Sequence, residues 1–307
     1  MESPRFTALL AFAGQMLVVL ATAGVADAAS IKALIIDGQN NHQWQTTTPA
    51  LRKILEDTGL FQVDVITTPP KGGDFSGFHP EFAKYQVVIS NYNDFPAGTV
   101  WPPDVQTAFE DYMKNGGGFV SYHAADNAFP NWTAYNLMIG LGGWMGRNEK
   151  SGPFWYYRDG KLVSDTTPGS AGNHGNRLPF QVTTRNSTHP VAKGLPPVWM
   201  HVGDELYSRM RGPGENMTVL GTAFSDPANK GTGHDEPVLL VLSYGKGRIF
   251  HTMLGHDVVA MSCVGFITTF ARGAEWAATG KVTQKVPTDF PGPDTQSTRP
   301  LASGTPQ

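Results

Sequence analysis

Asn115-Gly116-Gly117-Gly118-Phe119-Val120-Ser121-Tyr122-His123-Ala124-Ala125-Asp126 is the stretch on which the fold turns. Its glycines supply the backbone angles that stop a helix and reverse the chain. Phe119 to Tyr122 is a short apolar run bounded by turn signals, which predicts an interior strand. His123 stands where that strand runs out, with Asp126 and Asn127 close behind. In an open α/β sheet, ligands bind beyond the carboxyl ends of the strands. This polar cluster is therefore the first candidate for chemistry.

Upstream, strands and helices alternate. Ile31 to Ile36 predicts a buried first strand, and Asp37 to Trp44 a polar loop. Thr48-Pro49 predicts a helix start, with a hydroxyl cap followed by proline. Leu51, Ile54 and Leu55 share a face of that helix, and Gly59 closes it. Phe61 to Thr67 alternates like a second strand, and Tyr85 to Ser90 reads as a third. Pro102-Pro103-Asp104 opens a helix whose Val105, Phe109, Tyr112 and Met113 share a face. This β-α-β-α-β spacing predicts a parallel sheet flanked by helices.

Downstream, Trp132 to Arg177 carries no clear period and reads as an excursion, a lid or wall at one edge. Leu178 to Thr184 and Met217 to Phe224 predict strands. Pro237 to Ser243 and Arg248 to Met253, joined by Gly245-Lys246-Gly247, predict a C-terminal β-hairpin. Cys263 to Thr279 predicts a last helix. Residues 285–307, rich in Pro, Thr, Ser and Gly, predict a disordered tail. At the other end, residues 1–28 read as a secretory signal: Arg5, an apolar run from about Phe6 to Leu20, and Ala26-Asp27-Ala28 before Ala29. That leaves 29–284 as one α/β domain, secreted or periplasmic, with no membrane attachment once the signal is removed. A retained anchor is the alternative, and the apolar run is short for a span of about 20 residues.

Composition narrows the function classes. The 307 residues, 40% of them hydrophobic, allow a sizeable core. A net charge of −3 gives no footprint for nucleic acid. The one cysteine, Cys263, rules out an internal disulfide and a four-cysteine zinc site. It also follows no predicted strand, while the turn position of the nucleophile device carries His123, so thiol catalysis is disfavoured.

Three chemistries remain. The nine histidines show no H-E-x-x-H spacing, so no local motif demands a metal. Even so, His42, His123 and His256 all follow predicted strands and are able to converge, with Asp37, Asp204, Glu205 and Asp257 as carboxylates. Zinc is then the candidate ion; separately hydrogen-bonded histidines are the plainer reading. For acid–base work, Asp204 and Glu205 are adjacent, and neighbours on a strand point to opposite faces, so only one can enter a given pocket. His256-Asp257 suits a general base oriented by a carboxylate, or a turn whose aspartate caps the last helix. For carbohydrate binding, Trp44, Trp101, Trp132, Trp144, Trp155 and Trp199 lie in loops or poorly patterned stretches. Their faces would stack on sugar rings, or pack as local cores.

Several motifs together resemble one family. Asn41-His42 with Trp44, the glycine-strand-His123 stretch, His189-Pro190 with Gly194-Leu195-Pro196, Asp204-Glu205-Leu206-Tyr207, and Tyr244 to Arg248 with Gly255-His256-Asp257 resemble the ThuA-like (trehalose utilisation) family. The resemblance covers about residues 31–282. It implies a class I glutamine amidotransferase-like, flavodoxin-like open parallel sheet without the amidotransferase cysteine. It also implies carbohydrate catabolism around 3-keto derivatives of disaccharides and glucosides. On the combined reading, His123 or His256 is the base and Asp257 or Glu205 orients it. Asp37, Asn41, His42, Trp44, Asp126, His174 and Asp204 are the expected sugar-binding set. The partner is a small-molecule sugar, a homo-oligomer is left open, and a sugar-binding protein without turnover is the rival.

Overall fold

The computed structural model describes Met1, residues 30–96 and residues 100–301, so the expected signal segment lies outside the described residues. In chain order these form β1 (Ile31–Asp37), α1 (Trp44–Glu56), β2 (Phe61–Thr67), β3 (Val87–Ser90), α2 (Pro103–Lys114), β4 (Gly118–Tyr122) and α3 (Thr133–Ile139). There follow β5 (Phe154–Arg158), β6 (Lys161–Asp165), β7 (Leu178–Thr184), β8 (Val198–Asp204), β9 (Thr218–Phe224), β10 (Asp235–Tyr244), β11 (Gly247–Thr252), α4 (Val258–Met261) and α5 (Val264–Thr279).

The sheet runs β2-β1-β3-β4-β11-β10-β9-β7-β8. Its first five strands are parallel to their neighbours. β1 shows why these strands read as continuous apolar runs. Ala33 and Ile35 pack on one face with Leu51 and Leu55 of α1 and Phe270 of α5. Leu34 and Ile36 pack on the other with Phe109 of α2 and Tyr135 of α3. A strand covered on both faces has no polar side to alternate with.

The remaining strands change direction. β10 is antiparallel to β11 and β9, and β7 is antiparallel to β9 and β8. The sheet is therefore mixed: a parallel half beside an antiparallel half, of which only the β10–β11 hairpin was expected. β8 itself was not anticipated, because Gly203 and His201 interrupt its apolar alternation. The 132–177 excursion contains α3 and the β5–β6 hairpin, which meets the sheet through Tyr157 and Asp235.

Two further differences have local causes. α1 begins at Trp44 rather than at Thr48-Pro49. The amides of Thr46 and Thr47 and the Thr46 hydroxyl all donate to the Gln43 carbonyl (3.0, 3.1 and 2.9 Å), which closes the first turn early. Pro49 stays on the exposed side. The segment 285–301, expected to be disordered, is packed: Val286, Phe290 and Leu301 lie against the core. Phe290 meets Trp199 at 5.5 Å, and backbone bonds join Met200 to Gly292 (2.8 Å) and Val264 to Ser297 (2.9 Å). Three spaced apolar anchors do not register in an average composition. Among the described residues, no helix is long and apolar enough to cross a membrane.

Candidate metal centre and sugar cleft

Four loops at the carboxyl ends of the strands bring His42, His123, Glu205 and His256 together. His42 follows β1; its amide and its Nδ1 both donate to Asn40 Oδ1 (2.9 and 3.1 Å), which points Nε2 away. Asn40 Oδ1 is in turn held by Asn93 Nδ2 at 2.9 Å. His123 follows β4 with φ of 42°, a strained left-handed setting for a non-glycine residue. Its Nδ1–H donates to the Met253 carbonyl at 2.7 Å, and its ring stacks on Tyr207 at 4.3 Å. The Nε2 of His123 is buried and has no hydrogen-bond partner.

Asp204 braces the other two. It is fully buried at the end of β8 and accepts from the amides of Glu205 (2.8 Å), Gly255 (2.7 Å) and His256 (3.1 Å), and from His201 Nε2 (2.8 Å). One carboxylate thus ties the end of β8 to the loop after β11 and sets Glu205 and His256 opposite each other. Gly255 is obligatory here: its φ is 102°, and a Cβ would meet Phe266 at 2.7 Å and Tyr122 at 2.8 Å.

Around Glu205 Oε2 lie His256 Nδ1 at 3.0 Å, His42 Nε2 at 3.7 Å and His123 Nε2 at 3.9 Å. His256 Nδ1 is close yet not aligned for a hydrogen bond. Donors about 2.0–2.1 Å from a tetrahedral ion sit roughly 3.3 Å apart, so this spacing suits a divalent metal better than a hydrogen-bonded network. The tautomers suit it too, because His42 and His123 both donate from Nδ1 to oxygen, as ligating histidines do.

The electrostatics agree. Burial, then the neighbouring His42, push His123 down to about 3, so it is a neutral imidazole. Burial alone would raise Glu205, but His256, His42 and His123 hold its carboxyl well below the usual range. Burial would lower His256, and Glu205 raises it instead.

A cavity of about 590 Å³ opens over the cluster, lined also by Asn41, Gln43, Asn127, Trp144, His174 and Tyr207. His174 stands at its mouth, with Nδ1 3.8 Å from Glu205 Oε1. Asp257 reaches the cavity wall while its Oδ1 caps α4 through the Ala260 amide (2.9 Å), and its Oδ2 pairs with Arg177 at 2.5 Å.

Four of the expected sugar-binding residues do not reach this cavity. Asp37 is buried at the end of β1, where desolvation raises its carboxyl. Asp126 is fully buried and faces His251 Nε2 at 3.4 Å. Asp204 is the brace described above, and Trp44 is the first residue of α1. Of the six tryptophans, Trp144 lines the cavity, whereas Trp101, Trp132 and Trp199 are core residues. Asn127, named in the polar cluster behind His123, does line the cavity, whereas Phe95, Arg177 and Tyr207 were not singled out from the sequence as site residues. Tyr207 does stand in the Asp204-Glu205-Leu206-Tyr207 motif, two residues past Glu205, which is the signal that marks it.

The family described as ThuA, trehalose utilisation, matches over residues 32–277. This chain belongs to the ThuA family. All four clustered donors lie within the matched span, and membership implies a role in trehalose utilisation. The chain is similar to a ThuA-like protein from Parabacteroides merdae ATCC 43184 of known crystal structure. The two share 51% identity, with a TM-score of 0.85 over 88% of this chain and 98% of that one. A ThuA-like protein from Bacteroides uniformis ATCC 8492, 21% identical, shares the fold with a TM-score of 0.56 over 86% of this chain and 97% of its own. Among curated proteins, none matches.

Proposed function

We propose that this ThuA-family protein is a carbohydrate-processing enzyme that acts on a keto-glycoside, with a divalent metal ion such as zinc held by His42, His123, His256 and Glu205. The observation that carries the proposal is the bare, buried Nε2 of His123, turned toward three other donors and fixed by the bond from Nδ1 to Met253. Bound there, such an ion supplies Lewis-acid polarisation of a ketone or hydroxyl oxygen.

The chain's own groups supply the remainder. A ketone at C3 of a sugar acidifies the neighbouring C–H, so elimination or isomerisation begins with a base. His123, held at about 3, is a poor base near neutral pH, and we reassign it from base to ligand. His174 takes the base role. Its Nδ1–H donates to the Gly175 carbonyl at 2.9 Å, which leaves Nε2 as the acceptor, and its ring is half-exposed at the mouth. Asn41, Gln43 and Asn127 offer amide groups to sugar hydroxyls, and Trp144 and Tyr207 offer ring faces. Asp257, paired with Arg177, orients hydroxyls at the rim. The signal-like residues 1–28 support a periplasmic or secreted setting.

The test is turnover of 3-keto-glucosides by the purified protein, with and without chelator, beside His174→Ala. Chelator-sensitive turnover that falls at least tenfold in the variant supports both assignments. Turnover indifferent to chelator removes the metal from the chemistry. Binding of the sugar without turnover replaces the enzyme with a sugar-binding protein.

A further inference from the structure

Beside the cavity over the histidines lies a second, shallower and more open one of about 570 Å³, and Phe95 and Trp144 line both. The two aromatic side chains form a shared wall between an inner chamber, which holds the His–Glu cluster, and an outer chamber lined by Met145, Gly146, Asn148, Glu149, Ser170 and neighbouring residues.

Trp144 is held in this wall at a conformational cost. Trp144, Met145 and Gly146 have φ of 49°, 51° and 78°, three left-handed residues in a row. Their turn is closed by the Arg147 amide on the Trp144 carbonyl (2.8 Å) and tied to the facing strand of chain by Trp144 to Ala171 (3.0 Å) and Ala171 to Arg147 (2.9 Å). Gly172 leaves the space the indole needs, since a Cβ there would sit 2.5 Å from the Trp144 ring. On its inner side the indole meets Tyr207 edge-on at 4.7 Å, and Tyr207 stacks on His123. The wall is therefore continuous with the His–Glu cluster.

The outer chamber also states the charge of its occupant. Arg147 is the cation among its lining residues, and its guanidinium is already committed. Nη1 donates to the carbonyls of Asn127 (2.9 Å) and Gly143 (3.0 Å), and Nη2 to Ala128 (2.6 Å) and to Asn136 Oδ1 (3.0 Å). Glu149 contributes a carboxylate, which accepts the Gly169 amide at 3.0 Å. Backbone groups, an amide, a hydroxyl and a carboxylate suit an uncharged polyhydroxyl unit, and Lys150 and Arg211 near Glu149 balance its charge rather than add a free anion site.

We infer that the outer chamber is a second subsite, which takes the uncharged leaving unit of a two-ring glycoside while the reacting ring lies in the inner chamber. Trp144 is then the residue that divides the subsites and stacks on the glycoside between them. This rests on the reading of the inner chamber as the sugar site. It is tested by a ratio of affinities, which does not depend on turnover or on the metal.

The experiment is calorimetric titration of the full chain with 3-keto-trehalose, methyl 3-keto-α-glucoside, trehalose and trehalose 6-phosphate, repeated on Ser170→Trp. Ser170 is exposed and lines the outer chamber alone, so the indole fills that chamber without touching the histidines. Circular dichroism confirms that the variant folds. The inference expects the two-ring ligand to bind wild type at least tenfold tighter than the one-ring ligand. It expects Ser170→Trp to erase that ratio, and trehalose 6-phosphate to bind at least tenfold more weakly than trehalose, which differs from it only in the phosphate. Equal affinity for one and two rings, or an unchanged ratio in Ser170→Trp, overturns it even if the keto-sugars are turned over. Loss of chelator-sensitive turnover with the ratio intact would instead count against the metal-assisted reading and leave the subsite standing.

Discussion

Replacing Asp204 with asparagine should loosen the fold and the candidate metal centre together. The wild-type carboxylate is fully buried and accepts four hydrogen bonds. Asparagine retains one acceptor for the amides of Glu205 and His256, which share Oδ1. The other oxygen becomes an NH₂ facing the Gly255 amide, so donor meets donor. His201, pushed by Asp204 up to about 9 against the lowering effect of burial, also loses its counter-charge. One buried amide left unsatisfied costs about 1–3 kcal/mol, and the lost charge-assisted bond about as much again. The sum is about 2–6 kcal/mol, a large share of a typical 5–15 kcal/mol. At about 2–4 °C per kcal/mol for a chain of this size, the midpoint should drop by roughly 4–24 °C. Groups that orient ligating residues are typically worth 10–100-fold in metal affinity, so zinc binding should weaken by about that factor. Thermal scans by circular dichroism, with and without zinc, and a zinc titration read both effects. An Asn variant that melts within 2 °C of wild type would refute the bracing argument, whatever its metal affinity.

Other residues give independent tests. Glu236, buried in β10, has a carboxyl raised to about 8 by desolvation. A folded value above the unfolded one means that its protonated form stabilises fully below about pH 4.5 and that this is lost as pH rises through about 8. Glu236→Gln should therefore match wild type near pH 4.5 and gain on it steadily up to pH 8, by a few kcal/mol at the order-of-magnitude level, in urea melts across that range. Removing residues 285–307 uncovers the surface under Val286, Phe290 and Leu301; the truncated chain should lose about 2–4 kcal/mol in the same assay. Gly265→Ala puts a Cβ 2.3 Å from the buried Trp199 ring and should cost about 1–3 kcal/mol by overpacking.

What the sequence made legible follows burial. β1 and β4 read correctly because strands covered on both faces are plainly apolar, and His123 was found because it stands where such a strand ends. The adjacency of Asp204 and Glu205 also reads well. Glu205, just past the end of β8, lines the cavity and Asp204 turns inward, so only one of the two enters the pocket. β8, the docked tail and the antiparallel pairing of β7, β8, β9 and β10 were hidden because their contacts are long-range and their local patterns mixed, whereas the local β10–β11 hairpin was legible. Asp37 and Asp126 carry the chemistry of site residues, and nothing local tells a buried carboxylate from one that faces a cavity. Trp144 could not be chosen from six tryptophans, since what selects it is the space left by Gly172 and the closure with Ala171, 27 residues farther on.

The central claim is that His42, His123, His256 and Glu205 hold a metal ion, and metal stoichiometry tests it most directly. The chain is stripped with chelator, reloaded with zinc and dialysed, and the metal is counted by mass spectrometry in wild type and in His123→Ala. The account predicts about one zinc per wild-type chain and near-complete loss in the variant. A wild-type chain that retains no metal, or a His123→Ala chain that retains as much as wild type, would contradict it.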